Sequence, residues 1–360
     1  MSTQTAESLE QSVGLAEYQN TQAWYGEDMV RRTDWIYEVT TEEQEELRQA
    51  VQVAGASGRE IHHLELAHFP LKRLARRLAE IRREVLHERG FFLLRGVPIE
   101  EWSVRESATA FWGMGLYIGE AVSQNGKSHV LGHVANLGLD YADPEVRGYQ
   151  TNAHLNYHTD SSDIVGLLSL RTPQSGGLSS IASSTTVWNE MVKRRPDLAR
   201  VLLEPVHYTR WGEIPEGRER YFGLPIFSPW DKRMVVAYVR SAIRKAQLMP
   251  EVPQLRPEQE EAMDLLDSLA ADPKIRLMME FKPGDVQLLC NHWILHSRTG
   301  YVDWPEPQRR RHLLRLWLAC DDGPSLPPVF TSSYQGATGG GRPDGIRVPG
   351  VPFSAPLEPV

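Results

Sequence analysis

The chain has 360 residues, of which 41% are hydrophobic, 9% aromatic and 24% charged. This composition is typical of a globular protein that is long enough to bury a large core. Lys and Arg total 39 against 47 Asp and Glu, so the formal net charge is −8, which excludes an overall basic footprint for nucleic acid or an anionic membrane. The longest apolar runs are far too short to span a bilayer, and we expect no membrane partner.

The N-terminus and the cysteines bear on the cellular compartment. Residues 1–20 are polar and acidic, without the basic start and apolar centre of a secretory signal. Two cysteines, Cys290 and Cys320, cannot build a disulfide framework, and we therefore expect a cytoplasmic protein. Homo-oligomer formation stays open at this point.

Helical signals dominate the first third of the chain. Thr41 followed by Gln44 three residues later matches a capping box and predicts the start of a helix. Apolar residues recur every three or four positions between Pro70 and Gly90, which predicts the clearest helix of the chain. A further helix is expected over 103–114.

Short β-like runs separated by Gly, Pro, Asn and Asp turns predominate from residue 130 onward. The predicted strands, including one directly after the long helix, are 90–96, 164–170, 233–239, 276–281, 286–290 and 313–320. Helices are expected at 187–194 and 257–271. Many short strands with turn signals favour a sandwich or barrel, so the fold class is mainly β with flanking helices.

The triplet His158-Thr159-Asp160 is the first candidate for chemistry. Residues two apart in an extended strand point to the same face, so an imidazole and a carboxylate can converge on one point. A His-x-Asp triplet is common by chance, and a third ligand is needed. His292 and His296, which follow the predicted strand 286–290, both qualify. Two His and one carboxylate form a facial triad that leaves open positions on non-haem Fe(II).

Two arginines on the last predicted strand indicate an anion site. Arg311 and Arg315 are four residues apart, so both side chains fall on one strand face with Leu313 between them. A buried arginine is costly unless it meets an anion, and its planar fork suits a carboxylate. Arg309 and Arg310 are interpreted as a solvated loop end.

Together these features resemble the taurine dioxygenase-like (TauD/TfdA) family of Fe(II)- and 2-oxoglutarate-dependent dioxygenases. The resemblance runs from Gly90–Gly96 to Trp317 and includes Leu131–Val134 and Ser175–Ser180. It implies a double-stranded β-helix (jelly-roll, cupin-like) core. It also implies Fe(II), 2-oxoglutarate and O2 as the reactants that oxidise a C–H bond of a substrate, with release of succinate and CO2.

The resemblance also implies roles for individual residues. His158, Asp160 and His296 match the metal ligands, with His292 as the alternative to His296. His296 is preferred because the family places this ligand some ten residues before its arginine, and the interval of 15 from His296 to Arg311 is only slightly longer. Arg311 matches the arginine that binds the distal carboxylate of 2-oxoglutarate. The two remaining matches are Arg315, near the other carboxylate or an anionic substrate group, and Ser179, where the family has a threonine that touches the cosubstrate.

No internal repeat is found, and we expect one domain with terminal extensions: an N-terminal extension with helices over 1–89 that pack on the core, the jelly-roll domain over 90–320, and a Pro- and Gly-rich tail over 321–360. The tail could close over the pocket as a lid or be flexible. Trp24 and Trp35 in the first region are interpreted as core packing rather than as ligand contacts.

The expected substrate is a small polar metabolite, such as an amino acid or another carboxylate. Nothing in the sequence selects among hydroxylation, desaturation, cyclisation and rearrangement. Candidate substrate contacts are the turn 123–125, Asn152, His154 and the segment 221–240, which ends at Arg240.

Two functions of other classes stay open. One is a jelly-roll protein that binds a metal or ligand without catalysis, and the retained arginine Arg311 argues against it. The other is a Zn-dependent hydrolase on the same triad, for which Glu190 or Asp163 would have to act as the general base.

Overall fold

The computed structural model describes residues 15–140, 146–214, 217–333, 342–343 and 345–359. Two main β-sheets face each other, and helices cover their outer sides. The strands in chain order are β1 (Ile36–Glu38), β2 (Phe91–Arg95), β3 (Glu120–Val122), β4 (Gly132–Ala135), β5 (Leu155–His158), β6 (Ile164–Arg171), β7 (Ser175–Gly176), β8 (Ser179–Ser183), β9 (Pro205–Thr209), β10 (Tyr221–Pro225), β11 (Phe227–Trp230), β12 (Arg233–Val236), β13 (Leu277–Met279), β14 (Val286–Cys290), β15 (Ile294–Arg298), β16 (Tyr301–Val302) and β17 (His312–Ala319). The α-helices are α1 (Gly26–Met29), α2 (Thr41–Ala56), α3 (Arg73–His87), α4 (Val104–Gly115), α5 (Ser184–Arg194), α6 (Pro196–Val201), α7 (Arg240–Ala246), α8 (Pro257–Ala270) and α9 (Pro328–Ser333).

The larger sheet has the strand order β1-β2-β14-β6-β17-β3, and β4 pairs with β17 beyond the end of β3. All of its strand pairs are antiparallel except β1 with β2. Its central strands are nearly continuous apolar runs because both faces of the sheet are covered, by helices outside and by the second sheet inside. This double coverage explains why these strands could be predicted from sequence.

The smaller sheet has the order β13-β8-β15-β5 and is antiparallel throughout. In its register, His296 on β15 lies directly opposite His158 at the end of β5. Two antiparallel sheets packed face to face form the sandwich of a jelly roll, so the predicted fold class is confirmed.

Three helices pack on the outer side of the larger sheet: α3 on β2 and β14, α4 on β6 and β17, and α2 on α3 and α4. The apolar stripe of α3, which includes Leu74, Leu78, Ile81 and Val85, is at most 1% exposed. Burying such side chains contributes roughly 1.5–3 kcal/mol each. Helices α5, α6 and α8 pack together and cover the smaller sheet.

The start of α2 differs from the prediction by one residue. Thr40, rather than Thr41, is the N-cap, and its Oγ1 accepts a hydrogen bond from the Glu43 backbone N–H at 3.3 Å. The Glu43 carboxylate accepts the Thr40 N–H at 2.9 Å, which completes the capping box. The sequence Thr-Thr-Glu-Glu-Gln satisfies the motif in both registers, so the pattern alone could not choose between them.

The predicted strand 233–239 is also shorter in the structure, because β12 ends at Val236. The chain leaves its partner β11 there and continues along the end of β5. Tyr238 O accepts the Thr159 N–H at 2.8 Å, and Val239 forms an isolated bridge with His158. This change of partner brings α7 next to the residues of the His-x-Asp triplet.

Both ends of the described chain pack against the sandwich. Trp24 and Trp35 lie with ring centroids 5.0 and 5.8 Å from that of Phe91, in agreement with core packing. In the C-terminal tail, the Ile346 N–H donates to Ser123 O at 2.8 Å. In the described part of the chain, no helix combines the length and apolar character needed to cross a membrane.

Candidate active site

A cavity of about 450 Å³ opens between the two sheets. Strands β6, β14 and β17 of the larger sheet contribute to one wall, and β5, β8 and β15 of the smaller sheet contribute to the other. The six residues predicted to bind the metal or the cosubstrate line this cavity: His158, Asp160, Ser179, His296, Arg311 and Arg315. The structure thus brings together residues that are spread over more than 150 positions of the chain.

His158, Asp160 and His296 form a compact group at the cavity wall. Pairing of β5 with β15 sets the two imidazoles side by side, with ring centroids 4.2 Å apart. One potential ligand atom from each of the three residues lies within 4.8 Å of the others. Two imidazole nitrogens and one carboxylate oxygen are the donors of a facial triad, and they fit a non-haem Fe(II) ion.

The protonation of these side chains suits metal binding. His158 Nδ1 donates a hydrogen bond to Asn156 O at 2.8 Å, which leaves the lone pair of Nε2 available as a ligand. Burial, together with the neighbouring His158, lowers the pKa of His296 to about 3, so this imidazole is neutral at physiological pH. Burial alone would raise the pKa of Asp160, but Arg315 and the two histidines lower it below its usual value.

Two residues whose roles were not predicted hold Asp160 in place. Trp317 Nε1 donates to Asp160 Oδ2 at 2.8 Å, and Asn291 Oδ1 accepts the backbone N–H of Asp160 at 2.9 Å. Trp317 follows Arg315 by two positions on the same strand, so its inward direction could have been inferred from the strand period. No local signal marks Asn291, because it reaches Asp160 from a distant turn.

Arg311 is a buried guanidinium near the start of β17. It is 4% exposed, and its Nη1 has no hydrogen-bond partner among the described residues. The centroid of the Tyr301 ring lies 5.1 Å from Arg311 Cζ. Asp303 Oδ1 accepts a hydrogen bond from the backbone N–H of Arg311, not from its guanidinium. Burial lowers the pKa of Arg311. A desolvated cation with an unused donor fits the distal carboxylate of 2-oxoglutarate.

Ser179 lies at the same end of the cavity as Arg311. A Cβ on Gly177, two residues before Ser179, would lie 3.3 Å from Arg311 Nε, so the turn leading into β8 closely approaches the guanidinium. Gln287 Nε2 donates to Ser179 Oγ at 3.1 Å and connects the two sheets. The hydroxyl is therefore oriented by a neighbour within the wall.

Arg315 lines the cavity and also lies beside the metal ligand Asp160. Its Nη1 lies 3.7 Å from Asp160 Oδ2, and its Nε donates to Gln124 Oε1 at 2.7 Å. Gln124 in turn donates to Arg315 O at 2.9 Å. The turn 123–125, a candidate for substrate contact, thus acts through Arg315 instead of facing the cavity.

His292 lies in a separate buried cluster and is not a metal ligand in this arrangement. Its Nε2 donates to Asp163 Oδ1 at 2.7 Å, and Arg342 Nε donates to Asp163 Oδ2 at 3.0 Å. The Cys320 backbone N–H donates to the same carboxylate at 2.8 Å. This occupied carboxylate is not available as a general base. Glu190, the other candidate base, accepts hydrogen bonds from Tyr25 and surface cations outside the cavity.

The remaining candidate substrate contacts differ in whether they line the cavity. Asn152 and His154 are not among the described residues that line the cavity, whereas Arg240 is. Arg240 is nonetheless held by Asp267 at 2.6 Å and by two further carboxylates of α8. Trp211 and Lys245 also line the cavity and were not predicted from the sequence. No local pattern marks them, because they come close to the site only in the folded chain.

A jelly-roll sandwich with a two-His, one-Asp group and an unpaired buried arginine defines a non-haem Fe(II)- and 2-oxoglutarate-dependent oxygenase. The sequence model of the "Taurine catabolism dioxygenase TauD, TfdA family" matches residues 41–317. The chain belongs to this family.

Individual proteins with related sequences support the assignment. The chain is 28% identical over 329 residues to FR-33289 synthase of Streptomyces rubellomurinus (strain ATCC 31215), covering 89% of this chain and 95% of that protein. It is 29% identical over 310 residues to the taurine hydroxylase-like protein SAT17 of Stachybotrys chartarum (strain CBS 109288 / IBT 7711), covering 82% and 77%.

A solved structure with the same fold is asparagine oxygenase in complex with Fe(II), 2S,3S-3-hydroxyasparagine and succinate. It superposes with a TM-score of 0.62 at 15% identity, over 79% of this chain and 93% of that one. The chain is therefore a dioxygenase that uses Fe(II), 2-oxoglutarate and O2, as predicted, and it oxidises a C–H bond of a small metabolite. This class replaces the two alternatives of a non-catalytic binder and a Zn-dependent hydrolase.

Proposed function

We propose that His158, Asp160 and His296 hold the Fe(II) and that Arg311 anchors 2-oxoglutarate while a small polar metabolite is oxidised. The observation that carries this assignment is the buried, unpartnered Nη1 of Arg311 in the same cavity as the three ligands. A bound carboxylate would satisfy this donor and offset the buried positive charge.

The residues of the chain have separate tasks in this proposal. Bound Fe(II) and 2-oxoglutarate supply the oxidising chemistry, with decarboxylation to succinate as its driving step. Trp317 and Arg315 keep the Asp160 carboxylate oriented and ionised. Val165 and Leu167 of β6 give the wall an apolar lining that excludes water from the reacting atoms. Ser179 provides a hydroxyl for the cosubstrate.

We also propose that part of the C-terminal tail covers the cavity. Much of the predicted lid at 334–349 lies outside the described residues, but Gly345 and Ile346 border the cavity. The Gly345 N–H donates to Ser161 O at 3.1 Å, next to Asp160. Cytoplasmic location and homo-oligomer formation stay predictions; the two free, buried cysteines agree with the first.

An anaerobic spectroscopic titration tests the ligand assignment. Mixing the apo protein with Fe(II) and 2-oxoglutarate should produce an iron-to-keto-acid charge-transfer band, and O2 should then yield succinate. His158→Ala should lose the band and the succinate because one of three ligands is missing. His154→Ala, which removes an exposed imidazole nearby, serves as the matched control and should retain both.

Two outcomes would contradict the proposal in different ways. A wild-type protein without the charge-transfer band would not bind iron and 2-oxoglutarate together at this site. A His158→Ala variant with the band and turnover of the wild type would show that the metal lies on other residues.

A further inference from the structure

A single amide side chain interrupts the apolar run of β14. Gln287 is 1% exposed, and the other four side chains of the strand are aliphatic or a thiol. In the register of the larger sheet, Gln287 lies opposite Leu167 on β6, and Leu167 lies opposite Arg315 on β17. All three residues line the cavity. A buried amide is costly unless it is hydrogen-bonded, so the partners of Gln287 indicate its role.

The partners of Gln287 lie across the cavity on the smaller sheet. Gln287 Nε2 donates to Ser179 Oγ at 3.1 Å and to Met279 Sδ at 3.0 Å. Ser179 on β8 and Met279 on β13 are opposite each other in the register of that sheet. A thioether is a weak acceptor, so Ser179 is the stronger partner of the amide.

The contact with Gln287 determines where the hydroxyl proton of Ser179 can go. A serine hydroxyl has one proton and two lone pairs, and Gln287 Nε2 occupies one of the lone pairs. The proton can reach Gln287 Oε1, but the distance from Ser179 Oγ to that atom is 3.3 Å, which is long for a hydroxyl donor. A carboxylate in the cavity would accept the proton in a shorter and stronger hydrogen bond, because its oxygen is charged.

Ser179 and Arg311 are connected through their neighbours at one end of the cavity. In the register of the smaller sheet, Ser179 lies opposite Arg298 on β15. The guanidinium of Arg298 lies 4.8 Å from the centroid of the Tyr301 ring, which Arg311 also contacts. The carboxylate that Arg311 is proposed to hold is therefore the acceptor available to the Ser179 proton.

We propose, building on the cosubstrate assignment above, that Gln287 is a positioning residue that makes this end of the cavity selective for a 2-oxo acid with a second carboxylate. By donating to Ser179 Oγ, the amide keeps the hydroxyl proton directed to the distal carboxylate of 2-oxoglutarate. Without the cosubstrate, the same proton returns to Gln287 Oε1. An ionised glutamate at position 287 could only accept a hydrogen bond, and it would place a further negative charge beside the bound dianion.

Anaerobic titration of the Fe(II)-loaded protein with two keto acids tests this inference. 2-Oxoglutarate is compared with 2-oxopentanoate, which has the same chain length but a methyl group in place of the distal carboxylate. The charge-transfer band reports the dissociation constant of each keto acid without turnover. Gln287→Met should weaken binding of 2-oxoglutarate about fivefold and leave that of 2-oxopentanoate unchanged, because only the distal carboxylate accepts the Ser179 proton.

Further variants locate the effect at the hydroxyl. Ser179→Ala should weaken binding of 2-oxoglutarate about tenfold, and adding Gln287→Met should cause no further loss, because Gln287 acts through Ser179. Gln287→Glu retains the size of the side chain and should weaken 2-oxoglutarate at least as much as Gln287→Met. Gln52→Met, at an exposed glutamine of α2, is the matched control and should bind both keto acids as the wild type does. Thermal unfolding of each variant is recorded first, so a loss of the fold is recognised separately.

Three results would overturn the inference while leaving the iron and Arg311 assignments intact. The first is unchanged binding of 2-oxoglutarate in Gln287→Met and Gln287→Glu. The second is an equal loss for both keto acids in Gln287→Met, which would show a role in packing alone. The third is a double variant in which the losses of Gln287→Met and Ser179→Ala multiply. A wild-type protein without the charge-transfer band would instead refute the cosubstrate assignment and this inference together.

Discussion

Arg311 and Arg315 lie on the same face of one strand, yet their surroundings give them different chemistry. Arg315 contacts Asp160 and Gln124, so its charge stabilises the ionised carboxylate of the metal ligand. Arg311 meets an aromatic ring and retains an unused donor in a buried position. A buried arginine with an unused donor, such as Arg311, contributes less to the stability of the protein than to the binding of an anion.

Replacement of Arg311 should therefore act on the cosubstrate. Arg311→Met should raise the KM for 2-oxoglutarate by about 30-fold or more, as expected for a lost charge-assisted pair of about 2–3 kcal/mol, with a smaller effect on kcat. Succinate formation at varied 2-oxoglutarate measures both constants. Arg310→Met, an exposed neighbour, is the control, and an unchanged KM in Arg311→Met would refute the anchor.

The side chains whose positions could be predicted from the sequence are those whose direction follows from the alternation along a strand. The positions of side chains that are placed by contacts with distant parts of the chain could not be predicted. His158 and Asp160 converge as the alternation of a strand requires. Between His292 and His296 the residue pattern alone was undecided, because both follow the same strand. The difference is set by Asp163, a carboxylate on another turn that captures His292.

Among the secondary-structure elements, β4 and β17 are joined by a pair of buried histidines as well as by their backbone ladder. His133 Nδ1 lies 2.7 Å from His312 Nε2, and His133 Nε2 donates to Pro356 O at 2.8 Å. Arg171 Nη2 lies 3.0 Å from His312 Nδ1. Arginine can only donate, so this arrangement requires both imidazoles to be neutral, with His312 donating to His133.

Acid should weaken this connection between the strands and the tail. Burial and the neighbouring His133 lower the pKa of His312 to about 3, whereas an unfolded histidine titrates near 6.5. The neutral pair thus stabilises the fold above pH ~6.5, and this contribution is lost progressively as the pH falls from there towards about 3. Between pH 7 and 5 the loss should be about 2 kcal/mol for His312.

Urea unfolding at pH 7 and pH 5 measures this effect. The fall in unfolding free energy between the two should be smaller in His312→Asn than in the wild type. His63→Asn, at an exposed histidine, should keep the wild-type difference. An equal pH dependence in His312→Asn would show that this histidine does not titrate in the way its burial requires.

Prediction of the elements succeeded where burial on both faces leaves an apolar run, as in β14, which matches its predicted bounds. Prediction failed at strand ends whose position depends on a hydrogen-bond partner elsewhere in the chain. The predicted strand 233–239 stops at Val236 because Tyr238 hydrogen-bonds to Thr159 instead of to β11. Such an exchange of partners leaves no trace in the hydrophobic pattern.

On the scale of the whole molecule, the C-terminal tail is tied to the sandwich by a buried ion pair. Arg342 donates to Asp163 through Nε and Nη2, at 3.0 and 2.5 Å, and to Pro324 O at 2.9 Å. Both side chains are at most 9% exposed. The Pro- and Gly-rich composition of this tail predicts coil. Composition alone could not reveal that one arginine anchors the tail to the sandwich.

Removal of this anchor should destabilise the whole protein and release the tail. Arg342→Met should lower the unfolding free energy by about 3 kcal/mol, because it breaks a buried pair and leaves Asp163 with fewer partners. Thermal unfolding measures the loss, and limited proteolysis with mass spectrometry should show earlier cleavage after residue 321. Arg105→Met, at an exposed arginine, is the control. Wild-type stability and cleavage in Arg342→Met would contradict the role of the anchor.

The pairing of β5 with β15 has a consequence for folding. The two histidines that face each other there are 138 positions apart in the sequence. A metal ion shared by them acts as a cross-link that closes a very long loop. The unfolded chain would have to close this loop before it could bind the ion, so iron that binds the folded chain would stabilise the jelly roll as well as serve its chemistry.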